Sequence, residues 1–223
     1  MLEFDGPYGT LKGYLVQPAG KSRKKIGSVL IIHENRGLNP HIQDVARRAA
    51  LAGYNALALD FLSPLGGTPA NEDEARALFS KLDAAQSVAN GRAALAYLKA
   101  LPNSNGKVGA VGFCWGGAMV NQLAVNVPDL NAAVSFYGMA PDAALVPQIK
   151  AHVQLHYAGL DERINASREA YLAALKAAGV DFESYLYEGK QHAFHNDTNV
   201  ARYDQASAEL AWKRTLDLFQ RTL

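Results

Sequence analysis

The sequence predicts a doubly wound α/β architecture, a mostly parallel sheet with helices on both faces, in one domain spanning residues 1–223. Three observations predict it. Short apolar runs alternate with longer helical patterns along the whole chain, the order that builds parallel sheets with helical crossovers. The run Ser28-Val29-Leu30-Ile31-Ile32-His33 is continuously apolar up to its final histidine, and 54–61 is nearly so, as strands buried on both faces are. No internal repeat, low-complexity stretch or long linker divides the chain.

The first segment, 8–18, alternates with glycine breaks and suits an antiparallel lead-in strand. The basic run Lys21-Ser22-Arg23-Lys24-Lys25 follows and is expected to be a solvated turn. After the strand at 28–33, residues 40–52 read as a helix stopped by Gly53. A strand is expected at 54–61 and a glycine- and proline-rich loop at 63–69. Asn71 with Glu74 resembles a capping box. It opens a helical pattern, with room for a break, that reaches Leu101. Strands at 108–113, 132–137, 152–157 and 182–187 then alternate with helices at 115–125 and 165–178, and a last helix runs to the C-terminus. Whether the segment 62–81 covers a pocket as a lid is a question its glycines and prolines raise.

Composition narrows the function classes. The 223 residues carry 22 Lys and Arg against 21 Asp and Glu, a net charge of +1. That balance leaves no electrostatic footprint for nucleic acid or an anionic membrane. One cysteine excludes an internal disulfide and a cysteine-rich zinc site. No apolar run approaches the roughly 18 residues of a membrane span. Neither H-E-x-x-H nor G-x-G-x-x-G occurs in the setting that a metal or dinucleotide site needs. No metal or other cofactor is expected, and the partner is a small molecule, with the chain a monomer or small homo-oligomer. The opening Met1-Leu2-Glu3-Phe4-Asp5 does not read as a signal peptide. A cytoplasmic location is expected, or a periplasmic one if a leader has been trimmed.

The informative stretch is Val111-Gly112-Phe113-Cys114-Trp115-Gly116-Gly117, where a strand must turn sharply into a helix. A nucleophile elbow reads G-x-Nu-x-G because small residues on either side let strand and helix approach. Gly112 and Gly116 hold those places, and Cys114 holds the nucleophile's. The helix N-terminus favours thiolate. A cysteine among glycines also suits a packing contact, but the strand-to-helix setting favours the nucleophile.

The base and acid should follow in chain order. Among six histidines, His192 falls in the loop after the last strand, with His195 its main rival. His33 and His156 lie in or at the end of apolar strands and read as structural, and His41 and His152 stand at element starts. Asp161, with Glu162 as the weaker candidate, fits the acid. Asp60 precedes the nucleophile and is better read as capping a loop. Two backbone N–H groups should bind the oxyanion, those of Trp115 and, from the loop after the 28–33 strand, Asn35.

These residues resemble the dienelactone hydrolase (carboxymethylenebutenolidase) family of the α/β-hydrolase fold. The resemblance covers nearly the whole chain. It is carried by Glu34, the SNGKVGAVGFCWGG block at 104–117, Phe136-Tyr137-Gly138, the Asp161 loop and His192-Ala193-Phe194. It implies that Glu34 contacts the resting thiol and helps take its proton once substrate enters; capping of the helix near Pro40 is the structural alternative. It also implies an enol-lactone substrate whose carboxylate is held by two arginines. Arg76 matches the first and Tyr137 a pocket aromatic. Asn196 stands at the second arginine's position, with Arg36 or Arg202 as substitutes.

The leading reading is a cofactor-free lactone or ester hydrolase with a Cys114–Asp161–His192 triad. A carboxylesterase with another small ester is the runner-up. A noncatalytic ligand-binding member of the fold and a thiol redox sensor are the other classes. Nucleophile, acid, base and elbow together weigh against the first, and the lack of a resolving cysteine against the second.

Overall fold

The computed structural model describes residues 1–20 and 24–223. Lys21, Ser22 and Arg23 of the basic run lie outside them. Two compact units are distinguished, Met1–Ala110 with Leu223, and Val111–Thr222.

The first unit contains β1 (Leu2–Gly6), β2 (Gly9–Val16), β3 (Ile26–Ile32), α1 (Pro40–Leu51), β4 (Asn55–Asp60), α2 (Glu72–Phe79), α3 (Ala84–Lys99) and the larger part of β5 (Ser104–Phe113). Its hydrogen-bonded strand order is β1-β2-β4-β3-β5. The β1/β2 and β2/β4 pairs are antiparallel and β3/β4 is parallel. Residues 29–32 and 56–59 are fully buried, which is why both segments read as unbroken apolar runs. Strand β1 was not anticipated from the sequence. Its alternate residues are only partly covered, so it carries no strong apolar signal.

Helices α1 and α2 start on side-chain caps. Asn39 accepts from the Ile42 N–H with Pro40 opening α1, and Asn71 accepts from the N–H groups of Asp73 and Glu74. The long helical pattern expected after Asn71 breaks between α2 and α3, where Asp83 accepts from the Gln86 N–H and starts a new helix. The expected loop at 63–69 includes a short 3-10 turn, Ser63–Leu65.

The second unit takes the end of β5 and adds α4 (Trp115–Asn126), β6 (Ala132–Phe136), a 3-10 turn (Ala143–Gln148), β7 (His152–Ala158), α5 (Glu162–Asn165), α6 (Arg168–Ala177), β8 (Phe182–Tyr187) and α7 (Gln205–Thr222). The strand order is β5-β6-β7-β8, with β6/β7 and β7/β8 parallel. The eight strands are thus a mostly parallel sheet of an α/β fold. Helices α4 and α7 both pack on β6, around a core that includes Phe113, Phe136, Phe194 and Phe219. The helix expected over 165–178 is α6, which starts at Arg168; the short α5 ahead of it was not expected, and Asp161 caps it by accepting from the Ile164 N–H.

The registers Phe136↔His156 and Ala158↔Tyr187 bring the carboxyl ends of β6, β7 and β8 to one edge. That edge is where α/β sheets of this kind bind ligands.

Candidate active site

Cys114 sits between β5 and α4 with φ 58° and ψ −115°. A side chain rarely takes this conformation, and it persists only where the surroundings over-determine it. Here they do. The Cys114 N–H donates to the Phe136 carbonyl at 3.0 Å and its own carbonyl accepts from Ala118 at 3.1 Å. Strand and helix meet so closely that a Cβ on Gly112 would lie 2.1 Å from the Gly116 carbonyl oxygen. Gly112 is therefore the residue that permits the turn. Trp115 is the first residue of α4, and Cys114 is half-buried.

Asp161 and His192 come together. Nδ1 of His192 donates to Oδ2 of Asp161, which leaves Nε2 as the ring nitrogen available for proton transfer. Asp161 is buried and doubles as the α5 cap, so its carboxylate is held from two sides. The Tyr137 ring lies against His192, with centroids 4.8 Å apart. Tyr137 is buried and takes φ 39°. Of the expected triad, the observed contact is the His192–Asp161 bond; Cys114 is positioned through its backbone.

The loop carrying His192 is tied at both ends. The Leu160 N–H donates to the Lys190 carbonyl at 2.9 Å, and the Asp204 N–H to the Phe194 carbonyl at 3.0 Å. The Lys190 ammonium pairs with Asp204 at 2.7 Å. That hydrogen bond, with those from Ser207, holds the Asp204 carboxyl down at about 2. His195 is in a different environment. It is 1% exposed, with ring centroids 4.9 Å from Phe113 and 5.1 Å from Phe136.

His33 and His156 each have both ring nitrogens engaged, which fits a structural role. His33 donates from Nδ1 to the Glu34 carbonyl at 2.7 Å, and its Nε2 accepts from the Phe61 N–H at 3.1 Å. Burial lowers its pKa against an opposing pull from Asp60. His156 bonds through Nε2 to the Gln154 Oε1 and through Nδ1 to the Tyr187 hydroxyl, both at 2.9 Å. Gln154 spends its amide N–H groups on Glu183 and the Arg214 carbonyl. Its oxygen therefore faces His156, whose Nε2 carries the proton. Burial, then Arg214 and His195, hold His156 well below the ordinary histidine value.

In the first unit, Glu34 is buried, and Asn35 and Arg36 follow it half-exposed. The cap of α1 is Asn39, so the capping alternative for Glu34 is removed. Asp60 caps its loop as expected: Oδ1 accepts from the Leu62 N–H at 3.0 Å and Oδ2 from the Thr68 N–H at 2.7 Å. Thr68 also donates its hydroxyl to Asp60 and accepts from the Leu38 N–H, both at 2.8 Å. The start of the 62–81 segment is thereby stitched down.

Arg36 pairs with Glu72 at 2.5 Å and Arg76 with Asp73 at 3.1 Å. Both pairs are solvent-exposed, so either guanidinium exchanges partners at little cost. Asn196 is buried, and its Oδ1 accepts from the Thr198 N–H at 3.0 Å and hydroxyl at 2.6 Å.

Three polar residues near the elbow were not singled out from the sequence: Asn121, Ser135 and Tyr171, all buried. A signal existed for Asn121, an amide among Met119, Val120, Leu123 and Ala124 on a largely buried helix. Its partners are distant in sequence and could not be read from it.

Comparisons with known proteins place the chain in a family. Residues 11–223 match the model of the dienelactone hydrolase family. A "Putative carboxymethylenebutenolidase" of Synechocystis sp. is 31% identical over 231 residues, covering 96% of this chain and 92% of that one. A "Putative hydrolase fragment YghX" of Escherichia coli is 55% identical over 76 residues, 34% of this chain and 64% of that one. Among solved structures, a "Putative Dienelactone Hydrolase" from Klebsiella pneumoniae superposes with a TM-score of 0.84 at 27% identity, covering 95% of this chain and 93% of that one. The chain belongs to the dienelactone hydrolase family, and is accordingly a hydrolase of the α/β-hydrolase fold that acts on esters or lactones.

Proposed function

We propose that the protein hydrolyses a small lactone or ester without a cofactor, using Cys114 as nucleophile, His192 as base and Asp161 as its orienting acid. The observation that carries this reading is the strained elbow at Cys114 in the same unit as the hydrogen-bonded His192–Asp161 pair.

His192 takes the thiol proton through Nε2, and Asp161 stabilises the imidazolium that results. The sulfur attacks the carbonyl carbon, and the oxyanion is bound by the N–H groups of Trp115 and Asn35. N–H groups at a helix start favour an anion, which supports the role of Trp115. The C–O bond then breaks as His192 returns the proton to the leaving oxygen, giving a thioester. In a lactone that oxygen stays attached to the acyl chain. Water, deprotonated by His192, attacks the thioester; the C–S bond breaks, and the sulfur recovers a proton. Glu34 helps take the thiol proton once substrate enters; until then the thiol stays protonated and less open to oxidation.

Arg76, Tyr137 and Arg36 are the residues proposed to contact substrate. The second reading is a neutral small ester in place of an anionic lactone. It is favoured by Asn196, whose side-chain oxygen is engaged by Thr198 where the family resemblance places an arginine.

The test is turnover of dienelactone beside a neutral short-chain aryl ester, with wild type and Cys114→Ala. Turnover that depends on Cys114 and favours the lactone is expected on the leading reading. Preference for the aryl ester would keep the chemistry and select the second reading. Turnover that survives Cys114→Ala would remove Cys114 as nucleophile.

A further inference from the structure

We infer that Asn121 is a positioning residue, which latches the helix bearing the nucleophile to the turn that carries Tyr137 and thereby seats the His192 imidazole. The inference rests on the reading of Cys114 and His192 given above.

Asn121 lies on α4, seven positions beyond Cys114, and is 1% exposed. Its side chain reaches out of the helix to three groups. Nδ2 donates to the Met139 carbonyl at 2.9 Å and makes a longer contact with the Ser135 Oγ at 3.4 Å. Oδ1 accepts from the Tyr171 hydroxyl at 3.4 Å. Ser135 in turn donates its hydroxyl to the Gly117 carbonyl at 2.9 Å, in the first turn of α4. The chain of bonds therefore runs from the start of α4, across β6, back to the middle of α4, and out to Met139.

What this clamps is the exit of β6. Phe136 accepts the Cys114 N–H, and the Tyr137 N–H donates to the His156 carbonyl at 2.7 Å. Gly138 then passes so close to α4 that a Cβ there would lie 2.2 Å from the Gly117 carbonyl carbon. Backbone contact thus fixes the turn at Phe136, Tyr137 and Gly138. The Met139 carbonyl is the next anchor, and the Asn121 amide supplies it. Between these anchors Tyr137 is held at φ 39°, a conformation that relaxes unless both sides are fixed. Its ring packs on His192 at 4.8 Å and edge-on to Phe194 at 5.6 Å. Asp161 fixes one ring nitrogen of His192, but a single hydrogen bond leaves the imidazole free to tilt about it. The Tyr137 face limits that tilt.

An apolar side chain at 121 would preserve helix packing but leave the Met139 carbonyl without this donor. Relaxation of Tyr137 would then let the imidazole swing from the line between Cys114 and the leaving oxygen. A displacement of about 1 Å in such a group costs up to about a hundredfold in rate. Tyr137 is one of three residues proposed to contact substrate, so binding weakens too, but less than the proton transfer that depends on the placement of His192.

The test uses Asn121→Leu and Asn121→Asp on the full chain. The first removes the donor and keeps the bulk. The second keeps the shape and the acceptor for Tyr171 while setting an acceptor against the Met139 carbonyl. Kinetics are measured on whichever of dienelactone or the aryl ester the wild type turns over, with urea unfolding in parallel. For each variant that folds, kcat is expected to fall about tenfold to a hundredfold with KM within about threefold. A kcat within about twofold of wild type in a folded variant would overturn the latch, as would a rise in KM at unchanged kcat. Aspartate guards against the leucine variant failing to fold. Cys114→Ala is run alongside. Turnover surviving it would bring down the nucleophile reading and the latch with it, whereas turnover that needs Cys114 but ignores Asn121 would bring down the latch alone.

Discussion

At the residue scale, the two histidines at 192 and 195 stand three positions apart in one loop and in opposite environments. His192 is half-exposed and bonded to a carboxylate, while His195 is enclosed by aromatic rings. Substituting them should therefore break different things. His192→Asn is expected to lower kcat by about 10²- to 10⁴-fold with the fold intact. His195→Asn leaves a polar amide in an aromatic cage; it should cost about 2 kcal/mol of stability while the folded fraction keeps near-normal kcat. Steady-state rates and urea midpoints of both variants check this, and the reverse pattern would reassign the base. Chain order and loop position pointed to His192 in the sequence. The contrast in surroundings was not legible there, because Phe113, Phe136 and Trp212 reach His195 from distant parts of the chain.

At the element scale, the loop between β8 and α7 is anchored by the Lys190–Asp204 pair, and Asp204 also receives the Ser207 N–H at the start of α7 at 2.9 Å. The carboxyl is held at about 2 against an ordinary 3.8. Its folded-state pKa is depressed, so its contribution to stability is present above 3.8 and disappears as the pH falls towards 2. Lys190→Met should cost less than about 1 kcal/mol near neutrality, because both side chains are about a third exposed and well screened. The gap from wild type should then shrink below about pH 4. Urea midpoints across that range measure it, and a gap that widens on acidification would contradict the assignment. Most elements were legible from apolar periodicity; the break before α3 was allowed for without a position, and the short helix α5 was missed. Each helix start is made by a polar side chain: Asp83 caps α3, and Asp161 caps α5. A local cap competes with periodicity, and only the folded backbone shows which prevails.

At the scale of the whole molecule, each compact unit buries a histidine whose two ring nitrogens face opposite demands. His33 Nε2 receives the Phe61 N–H and His156 Nδ1 receives the Tyr187 hydroxyl. A second proton on either ring would meet a donor. Both pKa values are lowered, principally by burial. The unfolded chain takes up protons at these sites below the ordinary value of 6.5 while the folded chain does not. Stability is therefore complete above that value and declines as the pH falls below it. Between pH 7.5 and 5.5 the fold should therefore lose stability, with both histidines contributing to the loss. His156→Gln should weaken this dependence, measured by urea unfolding at several pH values. An unchanged slope would mean that His156 is already protonated in the fold.

The sequence by itself determined the alternation of strands and helices, the glycine-flanked turn at Cys114, and the family. All of these are carried by neighbours in the chain, where glycine, cap and periodicity act over a few residues. Only the tertiary structure decided that Asn39 rather than Glu34 caps α1, that Arg36 and Arg76 rest against Glu72 and Asp73, and that Asn196 is engaged by Thr198. It also decided that Asn121, Ser135 and Met139 meet. A side chain chooses among possible partners by which of them folding brings within about 3 Å, and that distance is set by the packing of whole elements.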